Sequence, residues 1–419
     1  MFSLLQSLST GDFLTLDVAT AALKDRWGFD GDTIVQIGTV GYALGFLGVG
    51  LFNVFIGDSI ALRYTALIGG GLTCLSWFLL WISLCPHCLP WWVASLLEAG
   101  VCMGTALGYT CAVKLVTQYT ASLEVRKWKI LALSLSVSVG SVAAFILFVF
   151  LPDLNHVFLG VAIFSVVIGI SIFMMTLLNP PTEEQIPLIG STFSVPTPIS
   201  SKPSAPFYIY LFALNLSFGT IVTLINSASN MILSTDTPWH PQVPLICLVM
   251  GNLIGRISGF FVKPYIKYCL LLFAFFSVLS SIGQFVLLLY WDLWVLLVTL
   301  LLNGVFFGLI WSLTMILAKD FFGLGEARSL GFVFFGMVGG PLVFGPFAAF
   351  IYHRHLHHND CDAICYRAYL ILSCFANLLN CFAYIAAWQT QKWRQNIAPP
   401  IRVTIVEPNE PIRLGGSVI

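Results

Sequence analysis

Charge is what this chain has least of. Asp, Glu, Lys and Arg make up 9% of its 419 residues, against 58% hydrophobic, and mean hydropathy is +0.91. A soluble domain carries roughly 25% charged residues, so a water-facing surface around a single core is excluded. Neither sign is in excess: 19 basic side chains face 19 acidic ones, which removes the electrostatic footprint of nucleic-acid binding. Catalytic groupings are missing too. No serine–histidine pair, zinc motif or aspartate dyad falls together within the apolar stretches, so nothing points to an enzyme or calls for a cofactor. The one N-x-S/T sequon, Asn215-Leu216-Ser217, lies inside an apolar stretch.

What the chain does have is long apolar runs. Twelve can cross a bilayer, which takes roughly 20 residues each: 2–22, 32–56, 61–84, 89–116, 128–151, 156–178, 206–230, 241–262, 266–288, 291–318, 327–351 and 364–388. The expected fold is an all-α integral membrane protein of twelve transmembrane helices in two six-helix halves. The first run is the most polar. It holds Asp12 and Asp17 and lacks the basic leader and clean apolar core of a signal peptide. It reads as a polar first span, with a truncated gene model as the alternative.

Between the halves, residues 179–205 are rich in Pro, Ser and Thr and read as a cytosolic linker. The expected divisions are 1–178, 179–205, 206–388 and a disordered cytosolic tail, 389–419. Lys and Arg set the orientation. With both termini cytosolic, fifteen fall on the inner side and four on the outer: Lys24, Arg26, Arg354 and Arg367. That is a positive-inside bias, and it supports an even number of spans.

Glycines recur at matching places in both halves. Gly38, Gly41, Gly45 and Gly48 lie in the second run, and Gly251, Gly255 and Gly259 in the eighth. Gly100, Gly104 and Gly108 lie in the fourth, and Gly304 and Gly308 in the tenth. Spacing of three or four puts them on one helix face, where two backbones approach closely in lipid. Repetition of that face is what a duplicated transporter fold leaves in sequence, with the ladders as sliding contacts between rocking halves.

Polar groups inside the spans mark candidate sites, because charge in hydrocarbon is costly. Glu98, Asp12 and Asp17 are candidates for proton or cation coupling. In the seventh run Asn215, Gly219, Thr223, Asn226 and Asn230 share one face. That stripe can contact a polar solute or bond neighbouring helices. Arg256 is the nearest partner for an anion, at a position close to the cytosolic end of its span.

All seven histidines fall on the expected outer side. His353, His355, His357 and His358 crowd one loop and are candidate metal ligands or pH sensors, although no spacing matches a defined zinc site. Cys85 and Cys88 share one outer loop and Cys361 and Cys365 another, where disulfides within or across the pairs can form. Glu184 to Ile189 fits an acidic dileucine sorting signal, and Ser417-Val418-Ile419 resembles a PDZ-domain ligand.

Several stretches resemble the major facilitator superfamily, and within it the nodulin-like, monocarboxylate-transporter-like subgroup. Phe321-Phe322-Gly323-Leu324, then Leu330 and Gly339-Gly340-Pro341-Leu342, are similar to the family's F-G-L leading into a glycine- and proline-bearing eleventh helix. Cys365-Tyr366-Arg367 opens the twelfth helix as the family's C-[YF]-R does. Thr223-Leu224-Ile225-Asn226 resembles its T-x-I-N, Gly255-Arg256 with Gly259 its G-R motif, and Lys114 the lysine ending its fourth helix. The chain departs at the loop after the second helix, reduced to Gly57-Asp58 and Arg63, and after the eighth, where Lys263-Pro264 replaces an acid.

The resemblance implies a secondary transporter moving a small solute by alternating access, in the plasma membrane or an endosomal or lysosomal membrane, working as a monomer. It implies a small organic anion such as a monocarboxylate, with proton coupling. The same fold carrying a transition metal or metal chelate is an alternative. A non-transporting membrane receptor or scaffold is a third.

Overall fold

The computed structural model describes residues 28–29, 31–57, 60–83, 89–118, 120, 123–150, 154–178, 204–233, 243–320, 326–356 and 364–397. Among these there are helices and no strands. A bilayer imposes this, because backbone N–H and C=O groups in hydrocarbon must be satisfied within the segment itself. Ten of the helices are long and apolar enough to cross a membrane. The chain is therefore a multi-pass membrane protein.

The helices are α1 (Gly31–Leu51), α2 (Leu62–Ile82), α3 (Trp91–Gln118), α4 (Leu123–Phe150), α5 (Leu154–Leu178), α6 (Ala205–Leu233), α7 (Val243–Val262), α8 (Cys269–Leu289), α9 (Leu293–Asp320), α10 (Glu326–Gly336), α11 (Gly339–Leu356) and α12 (Ile364–Ile397). Each of the eleven apolar runs from 32–56 onward is met by one of these, except that 327–351 divides into α10 and α11. The break falls at Met337 and Val338, just before Gly339-Gly340-Pro341, where proline supplies no backbone donor. The run 2–22, with Asp12 and Asp17, lies outside the described residues, as do the dileucine stretch and the PDZ-like terminus. The last helix continues to Ile397, past the expected boundary at 388, because Trp388 docks it by donating to the Lys267 carbonyl at 2.8 Å.

Packing follows a repeated scheme. In α1–α5, α1 packs on α3, and α2 packs on both α3 and α5. In α6–α12, α7 packs on α9, and α8 packs on both α9 and α12. The two sets meet along two seams, α1 against α10 and α11, and α4 against α7.

The glycine ladders mostly seal helix pairs within each set, and Gly38, which meets Asn226 of α6, lies between the sets. A methyl group on Gly255 would run into the Val305 carbonyl of α9, and one on Gly308 into the Asn252 carbonyl of α7. Likewise Gly41 and Gly45 of α1 receive the Glu98 and Cys102 side chains of α3. The seam of α1 with α10 and α11 also uses other small residues: Gly50 lies against Gly331, and Gly345 against Thr39.

The second set is also joined by side-chain hydrogen bonds, which in lipid act as specific links between helices. Asn377 donates to Ser280 Oγ at 3.3 Å and to Gln284 Oε1 at 3.2 Å, and accepts from Thr220 at 3.3 Å. Ser280 in turn donates to Asn303 Oδ1 at 2.6 Å. Tyr369 donates to the Thr220 carbonyl, and Asn380 to Ser217. Four helices, α6, α8, α9 and α12, are thereby tied at one level.

Gly255→Val and Gly308→Val should each force α7 and α9 apart, an overpacking cost of about 1–3 kcal/mol. Thermal unfolding in detergent should show both melting lower than the parent. Gly71→Ala, whose added carbon meets nothing within 4 Å, should leave the melting temperature unchanged.

Candidate functional site

The seams enclose a cavity between the two sets. From the first set it is lined by Phe46, Cys102, Thr105, Ala106, Tyr109 and Val137, and from the second by Arg256, Trp311 and Phe334. Its volume is about 30 Å³, room for a water or two. Aromatic rings close around it. Phe46 stacks on Phe334 with centroids 5.8 Å apart and meets Phe218 edge-on at 5.9 Å. Trp311 lies 5.6 Å from Phe218 and 6.4 Å from Tyr109. The rings of both sets thus meet around the cavity.

The one cation in this wall is Arg256, only 1% exposed. A guanidinium has five N–H donors in a fixed fork. Here Nε donates to Asn252 Oδ1 at 3.1 Å, one turn earlier on the same helix. Nη1 donates to the carbonyl and the hydroxyl of Ser134 on α4, the latter at 3.0 Å. Nη2 is buried without a hydrogen-bond partner. The guanidinium carbon lies 5.9 Å from the Trp311 ring centroid. The arginine is thus held on two sides, by its own helix and by the other set, and its remaining nitrogen has no acceptor. It lies six residues before the end of α7 at Val262, beyond which the chain continues as a 3-10 helix, Lys263–Tyr268.

The other expected site residues are spread more widely. Glu98 is fully buried in α3, two turns into the helix, with Gly41 packed on its methylenes. It does not line the cavity, yet it shares a helix face with Cys102, Thr105 and Tyr109, which do. Of the α6 stripe, Asn215 lies beside Gly339 and Gly340 of α11, and Asn226 lies over Gly38 of α1. Thr223 is fully buried. None of these three lines the cavity with Arg256. Asn230 belongs to α6, but its side chain lies outside the described residues, as do Asp12 and Asp17.

The histidine group is not wholly a loop: α11 runs through to Leu356 and so includes His353 and His355, whose side chains lie outside the described residues. His357 and His358 lie outside the described residues. Among the described residues there is no group of three or more His, Cys, Asp or Glu able to hold a metal. Cys365 is in a disulfide with a cysteine outside the described residues. Cys74, Cys102, Cys111, Cys247, Cys269, Cys374 and Cys381, all within helices, are free.

Sequence reasoning missed the aromatic wall, because Phe and Trp are so common here that four of them carry no signal. It also missed Asn252 and Ser134. The spacing of Asn252 and Arg256, four apart on one helix, was the available clue.

No protein-family model matches the chain, and no curated protein matches it.

Asn252→Ala should leave the buried Nε donor without a partner, a cost of about 1–3 kcal/mol, read as a lower melting temperature. Asn252→Asp, which sets a carboxylate against the buried cation, should keep the parent's stability. Equal destabilisation by both would show that the contact does not hold the arginine.

Proposed function

We propose that the chain is a secondary transporter of the major facilitator type, with twelve spans in two halves, that moves a small organic anion by alternating access. The observation that carries this is Arg256: a cation buried in an otherwise apolar bundle, at the junction of two helix sets, in the wall of the cavity and with one nitrogen lacking a hydrogen-bond partner. Burying an unpaired guanidinium costs several kcal/mol, and such groups within membranes are kept for a purpose. Among the described residues no carboxylate pairs with it, so a carboxylate solute supplies the missing acceptor in a charge-assisted bond.

The repeated packing of the two sets supports a duplicated architecture with the solute site at the repeat interface. The small cavity fits a closed intermediate from which either end opens. Alternating access needs the two sets to part at one seam while the other holds. The α1 seam, with Gly50 on Gly331 and Thr39 on Gly345, is closed by small residues. The disulfide at Cys365 supports an oxidising compartment at that end of the bundle, in accord with cytosolic termini. Glu98 is the favoured coupling group, because its helix face continues into the cavity wall; Asp12 and Asp17 are its companions in the first span.

Short carboxylates should raise the apparent stability of the purified protein by mass action, about 2.7 kcal/mol at a hundredfold excess over the dissociation constant. Arg256→Gln should weaken that binding roughly 10- to 100-fold, the worth of one or more hydrogen bonds to a charged group. A carboxylate shift that survives Arg256→Gln would remove the arginine from solute binding.

A further inference from the structure

A second cluster lies outside the cavity lining, where α7 and α12 end and α8 begins. The 3-10 helix Lys263–Tyr268 joins α7 directly to α8. It presents Tyr265, Lys267 and Tyr268 outward, with the two tyrosines 64% and 57% exposed. α12 is 34 residues long, about 51 Å at 1.5 Å per residue, where the hydrocarbon core is about 30 Å thick. Its last turns therefore stand in the headgroup region. They carry Trp388, Lys392 and Trp393, the last 72% exposed.

These two segments are built into one surface. The Trp388 indole donates to the Lys267 carbonyl at 2.8 Å, and the Lys392 ammonium lies 5.0 Å from the centre of the Trp388 ring. The indole thus forms a floor, with one lysine over its face and the other on the segment its N–H grips. Neither segment contains an acidic residue: the stretch 263–268 reads KPYIKY and 388–397 reads WQTQKWRQNI. Both exposed lysines are free of carboxylate competition from their own segments. Ammonium groups on an aromatic floor at the depth of the headgroups complement a phosphate bearing acyl chains, because anionic lipid attracts basic residues next to spans and Trp and Tyr settle at the interface.

We propose that Lys267, Lys392 and Trp388 form a binding site for the headgroup of an anionic phospholipid. The lipid phosphate sits between the two ammonium groups, the Trp388 ring packs beneath the glycerol backbone, and the acyl chains run down the lipid-facing sides of α8 and α12. The site does not depend on what the central cavity carries.

The test uses the full chain in nanodiscs of phosphatidylcholine, with phosphatidylserine or a phosphatidylinositol phosphate added at a few mole per cent, followed by native mass spectrometry of the lipids retained. The parent should keep anionic lipid in preference to phosphatidylcholine. Each lysine is worth about a 5-fold change in affinity, the ratio that corresponds to about 1 kcal/mol per basic residue. Lys267→Gln with Lys392→Gln should therefore cut retention roughly 25-fold. Trp388→Phe, which keeps a ring but loses the indole donor, should cut it less. Arg354→Gln with Arg367→Gln removes the same charge from exposed positions at the opposite ends of α11 and α12, and should leave retention as in the parent. Equal loss in the two double variants would mean bulk charge alone and would overturn the site. So would a parent without preference for anionic lipid.

Discussion

A guanidinium with three of its donors spoken for and one nitrogen buried without a partner sets the terms for the rest of this bundle. Arg256 cannot be solvated where it sits, so its neighbours must do the work of water. Asn252 and Ser134 do part of it. Ser134 belongs to the other helix set, so the same contact that satisfies the cation also holds the α4–α7 seam. An acceptor arriving at Nη2 enters an arrangement that already spans both sets. Solute binding and the relative position of the sets are therefore physically linked at one side chain.

The two sets are held internally by different means. Within α1–α5 the close contacts are largely steric, glycine against a facing side chain, as at Gly41 with Glu98 and Gly45 with Cys102. Within α6–α12 glycine contacts between α7 and α9 are joined by the Thr220, Asn377, Ser280 and Asn303 hydrogen bonds. Directional bonds fix distances and angles, whereas smooth packing resists separation more than sliding. Between the sets lie ring contacts around Phe46 and Trp311, small-residue contacts of α1 with α10 and α11, and the Arg256–Ser134 hydrogen bonds between α4 and α7. The α1 seam separates without leaving buried polar groups stranded, whereas parting the α4–α7 seam requires another acceptor for Arg256.

Much of the fold was legible in the sequence. Lipid leaves helices as the only solution for an apolar run of span length, so the runs from 32 to 388 translate into helices with small boundary shifts. The π-helix at Phe52–Ile56 and the extension of α12 to Ile397 were not legible, since both depend on what packs alongside. The site was legible only in part. Arg256 stands out because charge is rare. Its partner across the sets did not, because Ser134 lies 122 residues away in sequence. The α6 stripe was real as a polar face, but periodicity cannot say which neighbour a face meets. Asn215 and Asn226 meet glycines of α11 and α1 rather than the cavity. The ladders misled for the same reason. Small residues announce close approach without naming the partner.

The most direct test is a pair of distances measured in one sample by double electron–electron resonance. One pair of spin labels goes on Trp92 and Trp294, exposed at the Cys365 end of α3 and α9. The other goes on Val125 and Phe261, exposed at the opposite end of α4 and α7. Proton concentration and a carboxylate panel are then varied. If the two sets rock around Arg256, each pair shows more than one distance, and any condition that lengthens one pair shortens the other. Fixed distances at both ends, or distances that lengthen together, would contradict rocking about a shared central site.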